Sequence, residues 1–122
     1  KFSHAVIDAG ADLVLGHGPH VPRAMEIYND RLIAYSLGNF ATYYGISVAG
    51  SKGYAPIVIA ELDGYGRFLA GELRSNIQIR PGGPVPDAGK NALRMIRQLT
   101  MEDFPQGQLI FSPDGQINIA SE

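Results

Sequence analysis

The sequence predicts a single mixed α/β (α+β) domain, mostly β with two helices. Three observations point there. Short apolar runs bounded by turn residues recur along the chain. Two segments only carry apolar residues at three- and four-residue spacing. Fifteen glycines and eight prolines among 122 residues favour strands and turns over a helix bundle.

The first helical segment is Lys1–Ala9, with Phe2, Ala5, Val6 and Ala9 as its apolar side and Gly10 as its C-terminal cap. The helix is already under way at Lys1, which leads to the expectation that the chain is a segment of a longer protein. Asp12–Leu15 is a short apolar run, expected as a buried strand that delivers the chain into Gly16-His17-Gly18-Pro19-His20. Ala24–Tyr28 and Leu32–Ser36 form a strand pair around the tight-turn dipeptide Asn29-Asp30. Ala41–Tyr54, with Tyr43, Tyr44, Gly45, Gly50 and Gly53, has loop composition. Pro56–Asp63 alternates Ile57 and Ile59 against Val58 and Ala60, and Gly64-Tyr65-Gly66 turns it into a long strand, Phe68–Ile79, interrupted at Gly71 by a bulge. Arg80–Gly89 reads as a surface linker. The second helix carries Leu93, Met95, Ile96 and Leu99 on its apolar stripe and Lys90, Arg94 and Arg97 on its wet side, with Asp87 near its N-terminus. Gln108–Phe111 and Gln116–Ile119 close the chain as a hairpin around Ser112-Pro113-Asp114-Gly115.

Composition excludes several classes. Hydrophobic residues make up 45% and charged residues 18%, enough for a packed core. No apolar run approaches the roughly 18 residues of a membrane helix. A net charge of −2 with no basic block argues against a nucleic-acid partner. With no cysteine there are no disulfides, zinc–thiolate sites or thiol chemistry, and the absence fits either side of a membrane.

The chemistry concentrates in Gly16–His20. The loop leaves a strand at its C-terminal edge, where ligands gather in layered sheets. Gly16 permits close backbone approach, and Pro19 stiffens the bend between two imidazoles three residues apart. Such a pair suits half a site for divalent zinc, manganese, iron or nickel; equally, two histidines can simply cap a surface turn. Asp12 sits about 17 Å from His17 along an extended strand and Asp8 lies on the preceding helix, so neither carboxylate joins the loop. His4 has no evident partner. Ser36 lacks a Gly-x-Ser-x-Gly elbow, which argues against a serine hydrolase; Ser36 and Asn39 either bond loop backbone or face the site. Arg23 and Arg31 neighbour the loop and are candidates for an anionic group.

The run Ile7–Val21, then Glu26-Ile27-Tyr28, then Tyr35-Ser36-Leu37-Gly38-Asn39-Phe40, resembles the poly-gamma-glutamate capsule synthesis (CapA-type) proteins of the calcineurin-like metallophosphoesterase superfamily. The likeness is specific over residues 2–62 and weaker at Ala92–Phe104 and Asp114–Ile119. It implies that the chain is the C-terminal portion of a four-layer α-β-β-α sandwich, with residues 1–80 half of that sandwich and 81–122 a linker, helix and hairpin packed on it. The family's Gly-His-x-Pro-His motif falls on Gly16, His17, Pro19 and His20. His17 and His20 are thereby implied as metal ligands, His17, His20 and Asn39 as catalytic groups, and Ser36, Gly38 and Arg23 as substrate contacts. Gly18 stands where the family often has a histidine.

The implied cofactors are two divalent ions (Mn, Fe or Zn), held jointly with the N-terminal part of the same protein. The implied substrate is phosphorylated or an anionic polymer, and the implied address is the cell envelope. The isolated chain is then expected to be inactive. Two rival expectations are a non-catalytic subunit that binds an anionic envelope polymer, and a homo-oligomer formed through an exposed sheet edge.

Overall fold

The computed structural model describes residues 1–41 and 46–120. The chain is an α+β structure, mostly strand, with two helices. In order, these are α1 (Phe2–Asp8), β1 (Leu13–Leu15), β2 (Met25–Tyr28), β3 (Arg31–Ala34), a 3-10 turn (Gly50–Gly53), β4 (Ile57–Leu62), β5 (Phe68–Arg74), β6 (Asn76–Ile79), β7 (Gly83–Pro86), α2 (Asn91–Asp103), β8 (Leu109–Phe111) and β9 (Gln116–Ile119). The expected loop residues Tyr43, Tyr44 and Gly45 lie outside the described residues.

Three sheets form. The first has the order β1-β3-β2, the second β4-β5-β9-β8, and β6 pairs with β7, with Tyr54 bridging Ile77 as well. The β2–β3 hairpin turns on Asn29 and Asp30, both left-handed at φ 49° and 65°, the geometry that matches strand twist. β1 runs parallel to β3, with Leu13 opposite Leu32 and Leu15 opposite Ala34.

One core ties these pieces together. Met25, Leu32 and Ala34 from the first sheet meet Phe68, Leu73, Phe111 and Ile117 from the second, with Leu93 and Ile96 of α2. The core thus draws on both of these sheets and on α2. The α2 stripe buries Ala92, Leu93 and Ile96 and leaves Arg94 and Arg97 in water, as the helical spacing requires.

Four local expectations are corrected. The first helix turns a different side inward: Phe2 is 78% exposed, while Ile7 is buried and His4 stacks on Tyr28 with ring centroids 3.8 Å apart. Here the aromatic and polar contacts of β2, not the apolar spacing, set the rotation of a two-turn helix. β1 is half-buried, not buried, because among the described residues only β3 pairs with it; Leu15 is 48% exposed. The long strand breaks at Ser75 and not at Gly71, giving β5 and β6 in different sheets, while the pairing irregularity falls at Glu61/Leu62. The Arg80–Gly89 linker contains strand β7, which pairs Asn76 with Pro86 and Ile77 with Val85. Prolines fit there because β7 has one neighbour only.

Aspartates fix the turns. Asp87 accepts hydrogen bonds from the backbone of Asn91 (3.0 Å) and Gly89 (3.0 Å) and from the Asn91 side chain (2.9 Å), tying down the entry to α2. Burial pushes the Asp87 carboxyl up, but these donors outweigh it and leave it below the usual carboxylate range. Asp63 is lowered by the Arg67 backbone and side chain, and Asp114 by the Ser112 hydroxyl.

A carboxyl depressed in the fold contributes stability at pH values above its unfolded pKa of about 3.9 and loses it as pH falls through the lower folded value. Thermal unfolding monitored by circular dichroism should therefore show the midpoint falling below about pH 4. Asp87→Ala should cost about 1 kcal/mol at neutral pH and flatten that acid dependence.

Candidate metal-binding loop

Register builds the site. The β1–β3 pairing carries past the last strand residues: Gly16 N donates to Ala34 O (2.8 Å) and Leu37 N to Gly16 O (2.8 Å). Arg23 N donates to Ser36 O (3.0 Å), and Pro22 bridges Leu37. The histidine loop, residues 16–20, is thus laced against a strap, residues 36–39. Gly16 must be glycine, since a Cβ there would collide with the Tyr35 carbonyl oxygen. Gly38 is left-handed at φ 69° and sits against Pro22 and the Tyr54 carbonyl.

The strap holds both imidazoles by the same ring atom. His17 Nδ1 lies 3.1 Å from Gly38 O. A carbonyl can only accept, so Nδ1 carries the proton and Nε2 keeps its lone pair. His20 Nδ1 lies 2.8 Å from Asn39 Oδ1, an acceptor that fits the same tautomer. Both rings are exposed. The bend between them closes through His20 N donating to His17 O (3.1 Å), with His20 itself left-handed at φ 65°.

This donor set fits divalent metal. Ligating histidines bind through one nitrogen while the other donates to a carbonyl, and here both Nδ1 atoms are so engaged. The set is also partial. Among the described residues no group of three or more His, Cys, Asp or Glu side chains converges. Asp12 pairs with Arg31 (3.7 Å), and Asp8 accepts from the Tyr28 hydroxyl (3.0 Å) and Asn29 (3.1 Å), so both carboxylates are engaged elsewhere.

The remaining site residues divide. Asn39 stands on the strap at the imidazoles; its Nδ2 is buried and makes no hydrogen bond among the described residues. Ser36 and Gly38 lie in the strap itself. Ser36 is fully buried and its hydroxyl accepts from Gly38 N (3.1 Å), while the Gly38 carbonyl serves His17. Both build the strap.

Arg23 is exposed and makes no ion pair among the described residues; it lines a cavity of about 510 Å³ with Pro19, Ala24, Tyr35, Asp103 and Phe104. Arg31 is spoken for, donating to Asn29 O (2.9 Å) and Tyr65 O (2.7 Å). His4 does have partners, Glu26 at 2.8 Å and the Tyr28 ring, and belongs to the packing of α1.

Two contributors were not legible from the sequence. Gln78 donates to Asn39 O (3.1 Å) from 39 residues away. β6 buries it to 5% exposure while leaving Ile79 57% exposed, an inverted pattern that sets a polar side chain inside. Tyr35 donates to Glu26 Oε1 (2.7 Å) and stacks on Phe104 at 5.8 Å; burial first, then Glu26, pushes its hydroxyl pKa up, so it stays a donor.

The fold and loop define a class: a mixed α+β domain presenting paired Nε2 atoms at a parallel strand end. The comparisons narrow it. The family model "Bacterial capsule synthesis protein PGA_cap" matches residues 1–44. The "PGA biosynthesis protein CapA" of Bacillus subtilis (strain 168) is 32% identical over 130 residues, covering 100% of this chain and 33% of that protein. The "Capsule biosynthesis protein CapA" of Bacillus anthracis is 35% identical over 119 residues, covering 97% of this chain and 28% of its own length. A "Probable polyglutamine synthesis accessory protein" of Mycobacterium tuberculosis (strain ATCC 25618 / H37Rv) is 46% identical over 43 residues, 35% of this chain and 11% of that protein. Over nearly its whole length the chain is similar to CapA-type bacterial capsule synthesis proteins, and it spans about a third or less of the length of these relatives.

Gly16→Ala should lower stability by about 1–3 kcal/mol through the forced shift of the Tyr35 carbonyl. Urea unfolding measures the loss, and altered His17 ring resonances should accompany it.

Proposed function

We propose that the chain works within a CapA-type protein of capsular or poly-gamma-glutamate polymer synthesis or export at the cell envelope, as part of a metal-dependent, phosphoesterase-like centre. One observation carries this reading: both histidines of Gly16–His20 are fixed through Nδ1, leaving two Nε2 lone pairs at one rigid bend. His17 and His20 would hold metal, with the other ligands of a two-ion centre coming from outside the chain. Bound divalent ions (Mn, Fe or Zn) supply Lewis acidity and activate water for attack on a phosphoryl group.

The chain's own groups have separable parts. The strap orients the rings. Arg23, at the mouth of the cavity beside Pro19, offers a guanidinium to an anionic substrate group, phosphate or carboxylate. The stacked Tyr35 and Phe104 rings form a stiff wall for that cavity.

The rival reading is a binding subunit that recognises an anionic polymer without catalysis, and Arg23 in its cavity is the observation that favours it. Calorimetric titration of Mn²⁺ or Zn²⁺ into the full-length protein that contains this chain should show binding that His17→Ala plus His20→Ala abolishes. Arg23→Ala should leave metal binding intact and weaken binding of the polyanion. Absence of metal binding in the unaltered protein, with polyanion binding retained, would establish the rival.

A further inference from the structure

We propose that Asn39 is a positioning residue that acts through His20: its side-chain oxygen holds the ring as the Nδ1–H tautomer, freeing Nε2 to meet a ligand, while buried Gln78 pins the Asn39 backbone. The inference deepens the metal-loop reading and rests on it only for what the free nitrogen binds.

Two geometric facts carry it. His20 Nδ1 and Asn39 Oδ1 are 2.8 Å apart across a separation of 19 residues, and this is the one side-chain bond that His20 makes among the described residues. Gln78 Nε2 donates to Asn39 O at 3.1 Å, so a nearly buried amide fixes the backbone from which Asn39 reaches. The two histidines are thus held differently. His17 is set by a main-chain carbonyl, which no substitution at Gly38 removes while the backbone keeps its course. His20 is set by a side chain and can be released alone. Histidine left to itself favours the Nε2–H tautomer, in which the outward nitrogen is blocked by a proton. Asn39 therefore reverses an intrinsic preference. Its second amide atom, Nδ2, is a buried donor without a partner among the described residues, so the amide is held in place by what its oxygen and backbone do.

The test reads ring nitrogens directly. Two-bond ¹H–¹⁵N correlation spectra of histidine-labelled, metal-free protein are recorded about two units above the ordinary histidine pKa of about 6.5, where the rings are neutral. The unaltered protein should show both His17 and His20 protonated at Nδ1. Asn39→Ala should move His20 largely to Nε2–H and leave His17 unchanged; Asn39→Asp, which keeps an acceptor, should restore Nδ1–H. Affinity for Mn²⁺ or Zn²⁺ should fall about 10- to 100-fold in the alanine variant.

A His20 ring protonated at Nε2 in the unaltered protein overturns the proposal, and so does an alanine variant in which the tautomer stays put or both histidines change together. Should Asn39→Ala not fold, the unaltered protein and Asn39→Asp decide. Tautomers that behave as expected in a protein that binds no metal support the positioning role while refuting the metal reading.

Discussion

The parallel pairing of β1 with β3 is the constraint on which the site depends. It sets Leu15 opposite Ala34, and the pairing then runs on through Gly16 and Leu37. Those bonds bring residues 16–20 against residues 36–39, segments about twenty positions apart in sequence. A one-residue slip would reverse the faces of β1 and move the loop off the strap. Gly16 makes the register possible, because only a residue without a side chain fits under the Tyr35 carbonyl. The α1 helix, the hairpin of β2 and β3 and the shared core with α2 all serve to hold this pairing, although among the described residues β1 has a neighbour on one side only.

Much of the fold was legible because its signals are local. The hairpin over Asn29 and Asp30, the closing hairpin over Ser112–Gly115 and the α2 stripe each follow from residues close in sequence that meet in space. So does Asp87, whose carboxyl sits at the entrance of α2. Errors arose where a distant partner decides the outcome. Ile7 and His4 face inward because Tyr28 and Glu26 wait on β2, which spacing over seven residues cannot reveal. The break after Arg74 sends β6 to pair with β7, and nothing in Asn76-Ile77-Gln78-Ile79 announces a change of sheet.

The site divides along the same line. His17 and His20 declared themselves by spacing, with Gly16 and Pro19 as the stiffening elements. What the sequence could not supply was the state of the rings. A tautomer is fixed by the partner of the other nitrogen, and those partners are Gly38 and Asn39. Ser36 shows the converse. Its place in the motif leaves open whether the hydroxyl bonds loop backbone or faces the site; the fold buries it and has it accept from Gly38 N.

The backbone of His20 adds an independent argument. A left-handed residue is ordinarily glycine, with asparagine, aspartate and histidine the commoner exceptions, and holding a side chain there costs on the order of 1 kcal/mol. Glycine at position 20 would relieve the bend, and an ordinary surface turn would be expected to use it. The His20 ring instead faces solvent and contributes nothing to the apolar core, so packing does not explain its presence. The cost is offset by the turn bond to His17 O and the ring bond to Asn39, each worth about 1 kcal/mol. The backbone strain at position 20 is thus compensated through the imidazole itself, which ties the conformation of the bend to the ring's bond with Asn39.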